Sequence, residues 1–291
     1  MMMDIPNFDL SLILIAELLA LGVVSGFLAG LLGVGGGMML VPFLTLILTT
    51  RGVDAGLAVK MAIATAMATI AFTSLASVRA HHRHHAVRWD IVRGMGPGIL
   101  AGGLLAGAGI FAVFRGQGLA LLFGLFNTFS AVQLLLDRKP RASRVMPGWA
   151  GQSAAGAVVG TMSGLVGAGG AFISVPFMTW CNVPIRQAVG TSAALGFPIA
   201  AANTLGYVIS GWQLPAALPG AFGYLYLPAL GLVALTSVNL APWGARVAHR
   251  SNISTLRKIF AALLFRWATR APQGARLTLV SATKTKAGKY K

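Results

Sequence analysis

The sequence predicts an all-α membrane protein: a polytopic helix bundle of two inverted homologous repeats, each with a Gly-rich re-entrant or broken helix hairpin. Three observations predict it: charged residues are scarce, long apolar runs recur, and one glycine-rich motif occurs twice in the same context. Of 291 residues, 56% are hydrophobic and only 10% are charged, whereas a soluble domain carries about 25% charged residues to cover its surface. Most of this surface must therefore face something other than water. Apolar segments fall at 10–32, 38–48, 57–78, 94–114, 118–136, 149–166, 171–181, 188–210 and 218–240. Most of them are long enough to cross a hydrocarbon core of about 30 Å.

Two segments, 38–48 and 171–181, are too short to cross. At about 1.5 Å per residue each reaches roughly half the membrane depth. Each follows a cluster of glycines, which marks it as a half-helix. The contexts also match. Residues 26–45 read GFLAGLLGVGGGMMLVPFLT and residues 160–179 read GTMSGLVGAGGAFISVPFMT, so Gly33, Gly35, Gly36, Pro42, Phe43 and Thr45 recur 134 positions later. A second block follows each copy, KMAIATAMA at 60–68 and RQAVGTSAA at 186–194, pairing Thr65 with Thr191. Two blocks in one order imply an internal duplication, the usual signature of a transporter. The organisation expected is a first transmembrane repeat over 1–136, a basic cytoplasmic linker at 137–148, a second repeat over 149–265 and a basic polar tail at 266–291.

The formal net charge of +17 would suggest nucleic acid in a soluble protein. Here the cations sit in short clusters between apolar runs, at 79–93, 138–144 and 246–258, as cytoplasmic loops do under the positive-inside rule. Nucleic-acid binding is excluded on that distribution, and the partners expected are the bilayer and a small anionic substrate; a homo-oligomer is compatible with the pattern. If each Gly-rich element enters and leaves on one face, every large cation cluster falls in the cytoplasm and the halves are inverted. If the elements are broken single crossings instead, the stretch 241–258 falls outside, against the rule. The acidic start, with Asp4 and Asp9, and a first apolar run leading into the glycine motif do not form a cleavable signal. A multi-pass protein of the inner membrane is the expectation. Cys181, the one cysteine, has no intrachain partner and reads as a packing residue.

The glycine clusters are the sharpest candidates for chemistry: Gly33, Gly35, Gly36 and Gly37 in one copy, and Gly167, Gly169 and Gly170 in the other. A backbone break at membrane depth must be buried in protein or line a wet cavity. Free amides and the positive dipole end at a half-helix start suit an anion. Two such starts facing one another would cradle one oxyanion; alternatively, the glycines only let helices pack closely. Thr65, Thr191, Ser192 and Asn203 could add hydrogen bonds to the substrate, or bond back to their own helices. Glu17, the one acidic side chain in an apolar run, is a candidate for proton coupling if it lies at depth. His81, His82, His84 and His85 could bind metal or sense pH, but no cysteine or carboxylate lies among them, and neither metal nor cofactor is expected. Trp89, Trp149, Trp212 and Trp243 lie near segment ends, as interfacial anchors do. No nucleophile–base pairing stands at helical spacing in the spans, so an enzyme is not expected.

The block GLLGVGGGMMLVPFL, its copy GLVGAGGAFISVPFM and the following AVGTS resemble motifs of the TauE/SafE family of sulfite exporters, over roughly residues 10–265. The resemblance implies two homologous halves that export sulfite, sulfoacetate or related organosulfur anions, working as a secondary transporter by alternating access. A passive anion channel and an accessory membrane subunit are the alternatives. Carried onto this chain, the motif points to Gly33, Gly35, Gly36, Gly167, Gly169, Gly170 and Thr191. Two departures stand out. Ala66 replaces the hydroxyl that Ser192 keeps, and the final apolar run Ile259–Phe265 is cut short by Arg266.

Overall fold

The computed structural model describes residues 12–32, 36–136 and 143–250. Chain contacts divide the protein into two compact units, Met1–Phe123 with Lys139–Ser251, and Gly124–Arg138 with Asn252–Lys291. The shortened last segment, the tail 266–291, the two N-terminal aspartates and residues 137–142 of the linker lie outside the described residues.

The elements in order are α1 (Leu12–Leu32), α2 (Gly37–Thr50), α3 (Ala55–Arg83) and α4 (Trp89–Leu104). A π-helical stretch, Leu105–Ile110, carries α4 into the short α5 (Phe111–Val113). Then follow α6 (Gly116–Leu136), α7 (Trp149–Val166), α8 (Ala171–Trp180) and α9 (Ile185–Gly211). An antiparallel hairpin of β1 (Ala221–Phe222) and β2 (Leu225–Tyr226) leads into α10 (Leu227–Arg250). Five stretches are long and apolar enough to cross a membrane: Leu12–Leu31, Ala55–Arg83, Trp89–Val113, Ile185–Gly211 and Leu227–Ala248. The described elements of the second unit are the later turns of α6 alone.

In the first unit the usual distribution of side chains is turned outward. Val24, Leu46, Phe72, Leu75, Leu205, Ile209 and Leu235 are exposed, while Thr65, Thr69, Thr73, Ser163, Thr191 and Asn203 are buried. Large exposed apolar surface with hydroxyls and amides inside fits a lipid surround. The four tryptophans expected as anchors are all exposed. Trp89 donates to His82 Nδ1 at 3.2 Å, and Trp243 lies under the Arg246 guanidinium at 4.7 Å.

Glycines set the helix pairing. A methyl at Gly22, Gly26 or Gly30 of α1 would overlap the α10 chain at Val233–Thr236, Ser237 and Ala241 respectively. The counterparts 134 residues on, Gly156, Gly160 and Gly164 of α7, press on Met95, on Ile99 and Gly103, and on Asn203. Small residues one turn apart let two backbones meet closely, which is how helices adhere in lipid. So α1 packs along α10, and α7 along α4, each pair parallel. Thr65 with Tyr226 and Thr73 with Ser237 set α3 parallel to α10. Thr191 with Arg88 and Gly206 with Gly107 set α9 parallel to α4. The tight turn at His84–Arg88 sends α4 back along α3. Consequently α1, α3 and α10 run one way, and α4, α7 and α9 run the other.

Neither short helix continues the direction of the helix before it. Gly36 folds back onto α1, where a Cβ would lie 2.7 Å from the Ser25 oxygen, and α2 then leaves toward the start of α3. Asp54 closes that turn, its Oδ1 accepting from the Gly56 and Leu57 amides at 2.9 and 3.1 Å, an N-cap of the usual kind. Gly170 likewise folds back onto Val159 and Ser163 of α7 before α8 returns to α9.

Two expected boundaries move. The basic loop expected at 79–93 is helical through Arg83, because His81 is buried and its Nε2 lies 3.1 Å from the Gly30 oxygen, which holds the end of α3 against α1. The last apolar segment, expected at 218–240, becomes a helix over Leu227–Arg250. Ala241, Ala245 and Ala248 are buried, and a methyl at Gly244 would overlap Phe27 of α1. That close seam keeps helical a stretch whose charge suggests a loop.

Gly26→Ala or Gly98→Ala, which drive a methyl into Ser237 and Ser153 respectively, are expected to cost about 1–3 kcal/mol each by overpacking. Gly96→Ala, with open space around it, should be neutral or slightly stabilising. Thermal unfolding in detergent distinguishes them: equal melting temperatures for all three would refute the seams.

Candidate functional site

The site is built from two helix starts. Gly36 has φ +76° and ψ −8° at the N-cap of α2, and Gly170 has φ +77° and ψ −12° at the N-cap of α8. A left-handed turn of this kind costs a residue with a Cβ about 1–2 kcal/mol, and glycine nothing comparable. The Gly36 carbonyl accepts from the Met39 and Leu40 amides at 3.1 and 3.2 Å. The Gly170 carbonyl accepts from Ile173 and Ser174 at 3.1 and 2.9 Å. Gly167, at φ +73°, closes α7 with its amide on the Ser163 oxygen at 2.8 Å. Gly33 and Gly35 lie outside the described residues.

These junctions touch. A Cβ on Gly37 would overlap the Gly167 carbonyl oxygen, and one on Gly167 would lie 2.8 Å from Val41 Cγ2 and 3.3 Å from the Ile63 side chain. The first residue of α2 therefore rests against the break that precedes α8. Gly36, Gly37, Gly167, Gly169 and Gly170 are all buried. The opening amides of any helix lack intrahelical acceptors, and the starts of α2 and α8 are both buried within the bundle. Ser163 adds a hydroxyl here: it is 2% exposed, its Oγ has no hydrogen-bond partner, and it would lie 3.1 Å from a Cβ on Gly170.

The other candidates have separate tasks. Thr65 Oγ1 accepts from the Tyr226 amide, just before α10, and Thr191 Oγ1 accepts from the Arg88 amide, just before α4, each at 3.0 Å. Each threonine thus anchors the start of a helix from the other half. Ser192 shares a hydrogen bond of 2.9 Å with Ser174 of α8. Leu40 and Ala66, the matching positions in the first half, are both apolar. Asn203 donates from Nδ2 to the Ile199 and Gly160 oxygens at 2.8 and 3.3 Å, and its Oδ1 presses on Gly164 without a hydrogen-bond partner. Glu17 lies on the exposed face of α1, away from these junctions. The histidines do not converge. His81 faces Gly30, His82 accepts from Trp89, and no group of three metal-binding side chains forms among the described residues. Burial pushes the Cys181 thiol up, against reactivity.

Sequence reasoning missed Ser163 and one matched pair. Tyr207 donates its hydroxyl to the Gly164 oxygen, as His81 contacts that of Gly30. Both hold the helix turn that leads into a glycine break. The signal was available in the glycine spacing of four, repeated at the same interval of 134. The interval also explains a length difference. Gly36 and Gly170 are 134 apart, but Thr65 and Thr191 are 126 apart. Helix α2 has 14 residues and α8 has 10, and Ala55 precedes Thr65 by four more residues than Ile185 precedes Thr191. Both α2 and the opening of α3 are thus about one turn longer than their counterparts, which keeps the same faces inward.

A helical bundle with apolar outer faces and several membrane-length helices belongs to the class of multi-pass membrane transport proteins. The chain belongs to the sulfite exporter TauE/SafE family, whose model matches residues 18–270. It is 32% identical over 247 residues to a probable membrane transporter protein of Haemophilus influenzae, covering 84% of this chain and 93% of the relative. Over 270 residues it is 23% identical to a probable membrane transporter protein of Methanocaldococcus jannaschii, covering 87% and 93%. A third, from Bacillus subtilis, is 29% identical over 233 residues, covering 70% and 84%. No solved structure matches the chain.

Thr65→Val or Thr191→Val would leave a backbone amide at a buried crossing unpaired, at a cost of about 1–3 kcal/mol. The serine variants keep the acceptor and should stay close to wild type. Melting temperatures of the purified protein check this, and valine variants as stable as the serine ones would exclude the anchoring role.

Proposed function

We propose that this chain is a secondary transporter that exports a small anion, sulfite or sulfoacetate, across the inner membrane by alternating access. The observation that carries the reading is the contact between Gly37, the first residue of α2, and Gly167, in the break that precedes α8, with a left-handed glycine of one geometry at the start of each short helix. Amides and positive dipole ends at both starts would hold the oxyanion, and the Ser163 hydroxyl would complete its hydrogen bonds. Neither start supplies a formal charge, so the anion is bound without being trapped.

The arrangement of directions supports two inverted repeats with re-entrant hairpins. Helices α1 and α7, α3 and α9, and α4 and α10 are counterparts running in opposite senses, as in many carriers built on inverted repeats. On this reading the 51–54 turn and the 212–226 stretch lie outside, and Arg83, Arg88, Arg93, Arg144, Arg186 and Arg246 lie toward the cytoplasm, as positive charge requires. The first repeat would end near 136 and the second begin at 149.

Reconstituted vesicles test the proposal. Wild-type protein is expected to give saturable flux of radiolabelled sulfite or sulfoacetate. Gly36→Ala and Gly170→Ala, strained by about 1–2 kcal/mol at the binding turn, should lower it on the order of tenfold. Normal flux in both variants would remove the glycine junctions from the mechanism, and flux that never saturates would indicate a channel. Labelling of cysteines placed at 52 and at 216 from one side, with 84 labelled from the opposite side, is the expected topology.

A further inference from the structure

One partly exposed cation lies near the start of α3. Lys60 stands on α3 at the position matched by Arg186 on α9, five residues before Thr65 and Thr191 respectively. Its ammonium donates to the Ala112 oxygen at 3.2 Å and faces two rings, with centroids 5.6 Å away for Phe111 and 5.4 Å for Tyr224. Lys60 forms no ion pair with any described residue. Phe111 is fully buried, and Tyr224 nearly so. Arg186 is exposed. An ionisable side chain in a membrane span is costly and marks substrate or ion paths. A lysine needed only for structure would be expected to meet a carboxylate, whereas this one meets a neutral carbonyl and ring faces.

Its place along α3 is informative. Ile63, three residues on and therefore on the same face, is the side chain that lies against Gly167. The base of Lys60 is thus roughly 4.5 Å along the axis from that of Ile63, which borders the glycine junction. Cation–π contacts and a single neutral acceptor are weak holds, whereas a full anionic charge forms a stronger, charge-assisted bond with an ammonium. An arriving anion would therefore displace the rings. Tyr224 belongs to the stretch that ends at Tyr226, whose amide rests on Thr65, and Phe111 directly follows the π-helical stretch. Such a stretch is an irregularity often found at functional sites.

We infer that Lys60 receives the anion at one mouth of the translocation path, where Phe111 and Tyr224 hold its ammonium in the conformation seen here, and that Arg186 serves the opposite mouth. The inference rests on the carrier reading proposed above, and it adds a charged approach at each end to the uncharged central site. Helices α3 and α9 run in opposite senses, so matched positions on them fall at opposite ends.

Binding and flux measured together separate the two readings. Sulfite and sulfoacetate are titrated onto the purified full chain in detergent, with thermal stabilisation as the readout, and flux is measured in vesicles of each orientation. Lys60→Met is expected to weaken stabilisation and raise the half-saturating concentration from one side about tenfold, with maximal rate retained, and Lys60→Arg should restore both. Phe111→Leu, which removes one ring that competes for the ammonium, should lower half-saturation from that same side. Arg186→Gln should raise it from the other. Opposite signs for Lys60→Met and Phe111→Leu cannot come from general damage to folding. If wild-type protein transports while Lys60→Met keeps wild-type binding and half-saturation, or if both variants move in one direction, the Lys60 role is overturned alone. If anions stabilise the protein through Lys60 without any flux, the carrier reading fails and the Lys60 site stands. If neither anion binds or moves, both are overturned.

Discussion

A peptide group that has lost its helical partner must still be shielded, and in hydrocarbon only protein or enclosed water can shield it. Two helices of this bundle begin partway through it, and much of the architecture follows from that constraint. The left-handed glycines Gly36 and Gly170 turn the chain in the least space. The contact of Gly37 with Gly167 lets each break be covered by the other half instead of by lipid. Helices α1 and α7 lie against α10 and α4 through glycine faces, and His81 and Tyr207 secure the carbonyls of Gly30 and Gly164 just before each break. Much of the exterior is left apolar, with hydroxyls such as those of Thr65, Thr69 and Thr191 turned inward.

The two halves exchange partners instead of packing side by side. Each threonine bracket joins a helix of one half to a helix start of the other, and each glycine seam does the same. A movement that opened one face would therefore slide α1 with α10 relative to α4 with α7, because those pairs share the closest backbone contacts. The halves are also unequal. Ser174 and Ser192 share a hydrogen bond where the matching positions hold the buried, apolar Leu40 and Ala66, and Ser163 has alanine, Ala29, as its counterpart.

Much of this was legible in the chain itself. A duplicated glycine cluster before a short apolar run can hardly mean anything but a half-helix, and α2 and α8 begin within a residue of where that pattern places them. Helix pairing was less legible, because Gly22, Gly26 and Gly30 show a close-packing face without naming the helix that meets it. The partners are far away in sequence, and hydropathy says nothing of them. The threonines illustrate a second limit. Their matched positions marked them as important, yet a hydroxyl suited to a substrate is equally suited to a backbone amide, and here the amides of Tyr226 and Arg88 take both. Lys60 escaped notice for a third reason: one cation near the end of a long apolar run looks like an interfacial residue until the rings above it are seen. The end of α3 and the length of α10 depended on tertiary contacts, with Gly30 and with α1 respectively, that outweigh local charge.

The pairing of α1 with α10 bears on how the protein is made. Helices enter the bilayer in the order of their synthesis, so the glycine face of α1 emerges first and waits, uncovered, until nearly the whole bundle has been inserted. A nascent chain halted after α6 is thus not half of a working protein. It is an intermediate whose narrowest, most adhesive surface faces lipid or a chaperone, and α4 is in the same position until α7 arrives. Assembly must end with both seams closing late, and errors in that step would expose the same glycine faces to neighbouring copies.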